Sequence, residues 1–217
     1  MDLLAARWRE LHDLRALADV SVKKGSDRQR LSGVLLARAP GSVRFEALSP
    51  FGQPFLLATV HDGRFVVYNA ATNEASVAPA TVETAADLLS LPVEPDDLVA
   101  LLGGRTVPPK DLRVAELMPP DDLGPSIDLI GRYHRQRVWM DFTTGVVRQV
   151  TIVGGRTDAT VTFLRAKDGA LTGFDVSAAN GYVTSAVRYR TLAVNAGVEL
   201  ERFALTLPKD AKIHTIR

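Results

Sequence analysis

The chain has 217 residues, with 26 lysines and arginines against 25 aspartates and glutamates, and a formal charge of +1. That balance offers no basic field for a nucleic-acid backbone, and 6% aromatic residues is too few for a base-stacking surface. The 46% apolar content supports a sizeable core and excludes disorder, while zero cysteines exclude disulfides, thiolate metal sites and a cysteine nucleophile.

The first predicted element is an amphipathic helix over residues 2 to 18, because Leu3, Leu4, Trp8, Leu11, Leu14 and Leu17 recur at helical spacing. After Val20 the period changes to two. Short runs at Leu31–Arg38, Val43–Leu48, Phe55–Val60, Phe65–Tyr68 and Glu74–Val77 are separated by turn residues at Pro40-Gly41, Pro50-Phe51-Gly52, Asp62-Gly63 and Asn73. They read as successive hairpins.

A helix follows over about 82–90, capped by Thr81, carrying Val82, Ala85, Leu88 and Leu89, and stopped by Pro92. A second, over about 95–102, starts on Pro95 with Asp96 and Asp97 in its first turn. It buries Leu98, Leu101 and Leu102 and ends at Gly103-Gly104. Pro108-Pro109 and Pro119-Pro120 then bracket a segment read as a loop. Strands resume at Ile127–Arg135, Arg137–Phe142, Val146–Val153, Ala159–Arg165, Leu171–Ser177, Val183–Arg190 and Val198–Leu205, with turns that include Gly154-Gly155. The predicted fold class is therefore mainly β (α+β). One curved, unclosed antiparallel barrel of about eleven strands spans residues 1–217 as one domain, with the N-terminal helix and two short helices plugging its mouth. No apolar run reaches the roughly 18 residues of a membrane-spanning helix, and the opening residues carry no secretory-signal pattern.

Catalytic constellations are not evident. His12, His61, His134 and His214 are scattered without metal-ligand spacing, and no nucleophile elbow, phosphate loop or dinucleotide fingerprint occurs. Asp96-Asp97 and Asp121-Asp122 suit helix starts and turns better than acid–base work. Arg132, Arg135 and Arg137 about one hairpin, and Arg188 and Arg190 on one strand face, read as solvated strand faces balanced by carboxylates, with anionic headgroups as the alternative. No cofactor, metal or enzymatic activity is expected.

The order of elements, together with the stretch Val43-Arg44-Phe45-Glu46-Ala47-Leu48-Ser49-Pro50-Phe51-Gly52-Gln53 and the region Leu91-Pro92-Val93, Leu98, Leu101-Leu102-Gly103-Gly104 and Pro108-Pro109, resembles the bacterial lipoprotein-localisation fold. That fold is shared by the periplasmic carrier LolA and the outer-membrane receptor LolB. The resemblance covers about residues 2 to 207. It implies non-catalytic binding of lipoprotein acyl chains in a half-barrel, for sorting and insertion at the bacterial outer membrane. The implied cavity lining is Val34, Leu36, Phe45, Leu57, Val66, Leu98, Leu101, Leu102, Val138, Met140, Val161 and Phe163, as a cavity or as solid packing.

Pro50, Phe51 and Gly52 form the implied membrane-facing loop, with Phe51 exposed at its tip. Implied partners are acylated lipoproteins or other lipids, a periplasmic LolA-like carrier and the inner leaflet of the outer membrane, acting on a monomer. The implied location is the periplasm, with an anchor on an N-terminal cysteine upstream of Met1. The sequence departs from the family in its longer final meander, which keeps open a divergent relative with another cargo; the alternative function is an envelope scaffold or stress-sensor module of the same fold binding a protein partner.

Overall fold

In the computed structural model, which describes residues 2–89, 93–132, 134–153 and 158–216, the period-two runs become strands and the turn residues reverse the chain between them. Helix α1 (Asp2–Arg9) leads into β1 (Asp13–Lys24), β2 (Asp27–Arg38), β3 (Ser42–Leu48), β4 (Pro54–His61), β5 (Arg64–Asn69) and β6 (Glu74–Pro79). Helices α2 (Val82–Leu89) and α3 (Pro95–Leu102) follow. The second meander comprises β7 (Val114–Asp121), β8 (Gly124–Ile130), β9 (Arg135–Met140), β10 (Val147–Val153), β11 (Ala159–Arg165), β12 (Leu171–Ala178) and β13 (Val183–Val194), and β14 (Lys212–Thr215) ends the described chain.

The fourteen strands of the described residues form one sheet, in the order β14-β6-β5-β4-β3-β2-β1-β13-β12-β11-β10-β9-β8-β7. Neighbours run antiparallel except β14, which lies parallel to β6. The two meanders join through the long pairing of β1 with β13. Because β7 and β14 are not paired with each other, the barrel is unclosed. Ala78 near one end of this order and Leu129 near the other belong to a single buried cluster, which demands a strongly curled sheet.

Local chemistry explains the turns. Asp62 and Gly63 both take positive φ, as a two-residue hairpin between β4 and β5 requires. Thr81 Oγ1 accepts from the Thr84 N–H at 3.2 Å and caps α2, as expected. Residues 90–92, with the expected stop at Pro92, and the Gly154-Gly155 turn lie outside the described residues, as do the side chains of Leu88 and Leu89.

Three expectations are corrected. The helix predicted over residues 2 to 18 ends at Arg9, and its second half is β1, in which Leu14, Ala16 and Ala18 are buried while Arg15 and Leu17 face out. Asn195 clasps the corner between them: its Oδ1 accepts from His12 N at 2.9 Å and its Nδ2 donates to Glu10 O at 2.9 Å. The segment read as a loop before Asp121 contains β7, an edge strand that tolerates Pro119 and Pro120 because one side needs no ladder bonds. The strand expected over Val198–Leu205 is instead a single 3-10 turn at Leu200–Phe203 on the outer face of the sheet. Its Phe203 and Val198 are buried there with Leu36, and Arg44 Nη1 donates to the carbonyls of Arg202 and Ala204.

Candidate functional site

Strand register assigns each candidate residue that lies in a strand to a face. Leu35 pairs with Phe45, Phe45 with Ala58, and Val60 with Phe65, and this set faces inward. In the second meander Val138, Val150 and Val161 are directly paired across β9, β10 and β11, and Phe163 pairs with Phe174. Phe45, Leu98, Leu101, Leu102, Val138, Met140, Val161 and Phe163 all belong to the inner cluster or pack against it.

Val34, Leu36, Leu57 and Val66 do not. Val34 and Leu36 flank the inward Leu35, so they point outward and join the small cluster under Phe203. Leu57 pairs with Glu46, and Val66 with Thr59, on the same outer face. These four are removed from the inner lining. For Val34 and Leu36 the apolar character reflects a second cover on that part of the sheet, Val198 and Phe203 of the C-terminal segment.

On β1 to β3 the inner face alternates small residues, Ala16 and Ala18, Gly33 and Ala37, and Ala47, with the larger Leu14, Leu35, Val43 and Phe45. The small residues give α3 room to lie against β2 and β3. Val99, Leu101 and Leu102 of α3 are buried, and Leu98 is half-buried against the same cluster. Leu4 of α1 and Leu11, in the connection between α1 and β1, complete the filling of the hollow. Of the expected lining, Phe45, Val138, Met140, Val161 and Phe163 belong to or pack against one inner apolar cluster together with residues of α1 and α3.

The helix α3 ends as its glycines dictate. Gly103 N–H bonds back into the last turn, and Gly104 takes φ +69°. A Cβ on Gly103 would sit 2.5 Å from Leu11 Cδ2, so the close approach of the α1–β1 connection to the end of α3 depends on that glycine. Beyond packing, a side-chain bond fastens the last residue of α3: the Tyr189 hydroxyl donates to Leu102 O at 2.6 Å. Burial pushes the Tyr189 phenol above its ordinary pKa, so it remains a donor. Tyr189 also closes an aromatic series across β11, β12 and β13, with ring centroids 6.3 Å apart for Phe163–Phe174 and 6.4 Å for Phe174–Tyr189, both edge-on. Neither Phe174 nor Tyr189 was among the residues singled out from sequence; the alternation of β13 at Val187 and Tyr189 was the available signal.

The β3–β4 turn is rigidly made. Gly52 N donates to Ser49 O at 2.9 Å and Ser49 N to Gln53 O at 2.8 Å, while Gly52 takes φ +78°. Pro50 thus starts a tight turn, glycine supplies the left-handed residue after it, and Phe51 between them is 92% exposed.

The arginine clusters on the strand faces are balanced. Arg137 pairs with Asp121 at 2.8 Å and lies over the Trp139 ring, Arg135 pairs with Asp128, and Arg188 and Arg190 pair with Asp175 and Asp19 at 2.6 Å each. His61 Nδ1 is 3.0 Å from Ser42 Oγ. Among the described residues no group of three or more histidine, cysteine, aspartate or glutamate side chains is arranged to hold a metal ion.

No protein-family model matches the sequence, and no curated protein matches it. Solved structures do match in fold. One is a domain from Vibrio parahaemolyticus named for outer membrane lipoprotein sorting, at 12% identity and TM-score 0.64, over 93% of this chain and 94% of that one. A DUF1329 family protein from Desulfovibrio piger aligns at 14% identity and TM-score 0.66, over 94% and 95%. A LolA superfamily protein from Nitrosomonas europaea aligns at 10% identity and TM-score 0.63, over 94% and 96%. The chain thus has the LolA/LolB-like fold.

Proposed function

We propose that this protein binds acyl chains of lipids or lipoproteins on the inner face of its half-barrel, without catalysis, in the bacterial cell envelope. The observation that carries the reading is the inner apolar cluster that the concave face shares with α1 and α3, two helices of one chain that an acyl chain could replace. Exchange of one apolar filling for another conserves buried area, which suits reversible capture. Each methylene transferred from water into the hollow contributes about 0.8 kcal/mol. In this reading α3 lifts about its Gly103-Gly104 end when Tyr189 releases Leu102 O, and the chains take the place of Leu98, Leu101 and Leu102.

The fold is that of proteins named for lipoprotein sorting, which supports lipoproteins as the cargo and the periplasm as the place. Phe51, held out on a rigid turn, is proposed to enter the inner leaflet of the outer membrane during transfer, with a LolA-like carrier as the donor. The test is binding of a triacylated lipopeptide against the same peptide without chains, followed by tryptophan fluorescence or calorimetry. Saturable binding of the acylated form alone supports the proposal, and equal behaviour of both peptides refutes it.

A second reading has one observation in its favour. Edge strand β7 leaves Leu117 72% exposed beside an unpaired backbone edge, an arrangement suited to strand addition by a protein partner.

A further inference from the structure

A cleft of about 400 Å³ opens where the C-terminal end of α1, the turn after α3 and the β11–β12 hairpin meet, and each of these contributes one arginine: Arg7, Arg105 and Arg165. We infer that this cleft is a phosphate-binding subsite that takes the headgroup of an amphiphile whose chains occupy the hollow.

The charge is unbalanced. Among the ion pairs of the described residues, Glu10 is the partner of these arginines, with Oε2 at 3.0 Å from Arg7 Nη1 and 3.9 Å from Arg105 Nη2. Three positive charges against one negative leave an excess of two. Asp141 and Asp168 in the adjoining turns keep their charge but turn their carboxylates to the N–H groups of Thr143 and Thr144 and of Ala170, and form no ion pair with these arginines among the described residues.

The three guanidiniums are also held in place. Arg7 Nε donates to Thr144 O at 2.8 Å, Arg105 Nη1 donates to Arg7 O, and Arg165 donates to Gly169 O and Gly104 O at 3.1 Å each. The bonds to Arg7 O and Gly104 O fasten the ends of α1 and α3 and the others tie neighbouring turns, which is a structural role, but they do not neutralise the charges. Arg165 Nε is buried with no hydrogen-bond acceptor. Desolvation by burial lowers the pKa of both Arg105 and Arg165, and Arg7 and Arg165 act on Arg105 in the same direction. A bound anion would relieve that repulsion and supply acceptors.

Two glycines make the approach possible: a Cβ on Gly145 would come within 2.9 Å of Arg7 Cγ, and one on Gly104 within 3.1 Å of Arg165 Nη2. Phosphate joined to a hydrocarbon is favoured by the other wall of the cleft, formed by Val146, Leu171 and Leu192. Leu171 and Leu192 pack on the main core. Cation on one side and apolar surface on the other match a headgroup where it meets its chains.

This inference rests on the acyl-chain reading, and the experiment separates the two. Calorimetry compares lysophosphatidylglycerol with a monoacylglycerol of the same chain, and with inorganic phosphate, on the wild type, Arg105→Gln and Glu10→Gln, each checked for folding by thermal unfolding. The phosphate-bearing amphiphile is expected to bind more than about tenfold tighter than the neutral one. Arg105→Gln should remove most of that preference, and Glu10→Gln, which keeps all three arginines, should enlarge it. Equal binding of the two amphiphiles, unmoved by either substitution, overturns the headgroup site while leaving the acyl-chain reading intact. If neither amphiphile binds, the acyl-chain reading fails. Inorganic phosphate then decides for the cleft: Arg105-dependent binding assigns it to free phosphate, and no binding overturns it as an anion site.

Discussion

Replacing Phe51 separates a membrane contact from a structural one. The side chain is 92% exposed, while the turn is held by Pro50, Gly52 and main-chain bonds from Ser49 and Gly52, none of which uses the phenyl ring. Phe51→Ala should therefore shift unfolding free energy by no more than about 0.5 kcal/mol, the range of an exposed surface change. Phe65, which is 4% exposed in the inner cluster, is the internal control: Phe65→Ala should cost about 3–5 kcal/mol. If Phe51 enters the bilayer interface, the alanine variant loses the burial of one phenylalanine, about 1.5–3 kcal/mol, which is roughly a ten- to hundredfold fall in partition. Phe51→Glu should fall further, because a carboxylate must be desolvated. The assay is co-sedimentation with liposomes of outer-membrane-like lipid, beside denaturant unfolding of the same samples. Unchanged partition of Phe51→Ala would refute the membrane contact, and a loss of several kcal/mol in its unfolding free energy would show that the ring is part of the core.

Gly103→Ala should destabilise the protein by about 1–3 kcal/mol through its clash with Leu11 Cδ2, and Leu11→Ala should partly rescue it in a double-mutant cycle of unfolding free energies. Tyr189→Phe removes the bond to Leu102 O; it should cost about 1 kcal/mol and raise amide hydrogen exchange in residues 95–104 above that in β11 to β13, whereas a uniform rise would contradict a local fastening role. Asp19, Asp121 and Asp141 are held below the ordinary carboxylate value, by Arg190 and Ser32, by the Trp139 N–H, and by the backbone of Thr144 and Thr143. A depressed folded-state pKa stabilises above the unfolded value of 3.8 and is lost as pH falls through the lower folded value. Unfolding midpoints should hold above about pH 5 and decline below pH 4, and Asp19→Asn should flatten part of that decline.

The hairpins from β2 to β6 were legible because glycine, proline and asparagine punctuate alternating runs, and α3 because Pro95 opens it and glycines close it. β1 was hidden by coincidence of periods. Leu11 and Leu14 satisfy a helix of spacing three to four, while Leu14, Ala16 and Ala18 equally satisfy a strand, and small alanines give a weak signal. The inner and outer faces of β2 could not be told apart by alternation, since Leu35, Leu36 and Ala37 are all buried, one side under α3 and the other under Phe203. Pairing arithmetic would have helped: Phe45 opposite Leu35 already places Val34 and Leu36 on the other face. The arginine cleft was not visible at all, because Arg7, Arg105 and Arg165 are brought together only by the tertiary fold.

The central claim, that acyl chains occupy the concave face, is tested most directly by photo-crosslinking. A lipopeptide carrying a diazirine midway along one acyl chain is bound to the delipidated protein, irradiated and mapped by mass spectrometry. The account predicts adducts on Met140, Val161 and Phe163, abolished by excess unlabelled lipopeptide. Adducts concentrated on Val34, Leu36 or Val66 of the outer face, or labelling that excess lipopeptide does not displace, would contradict it.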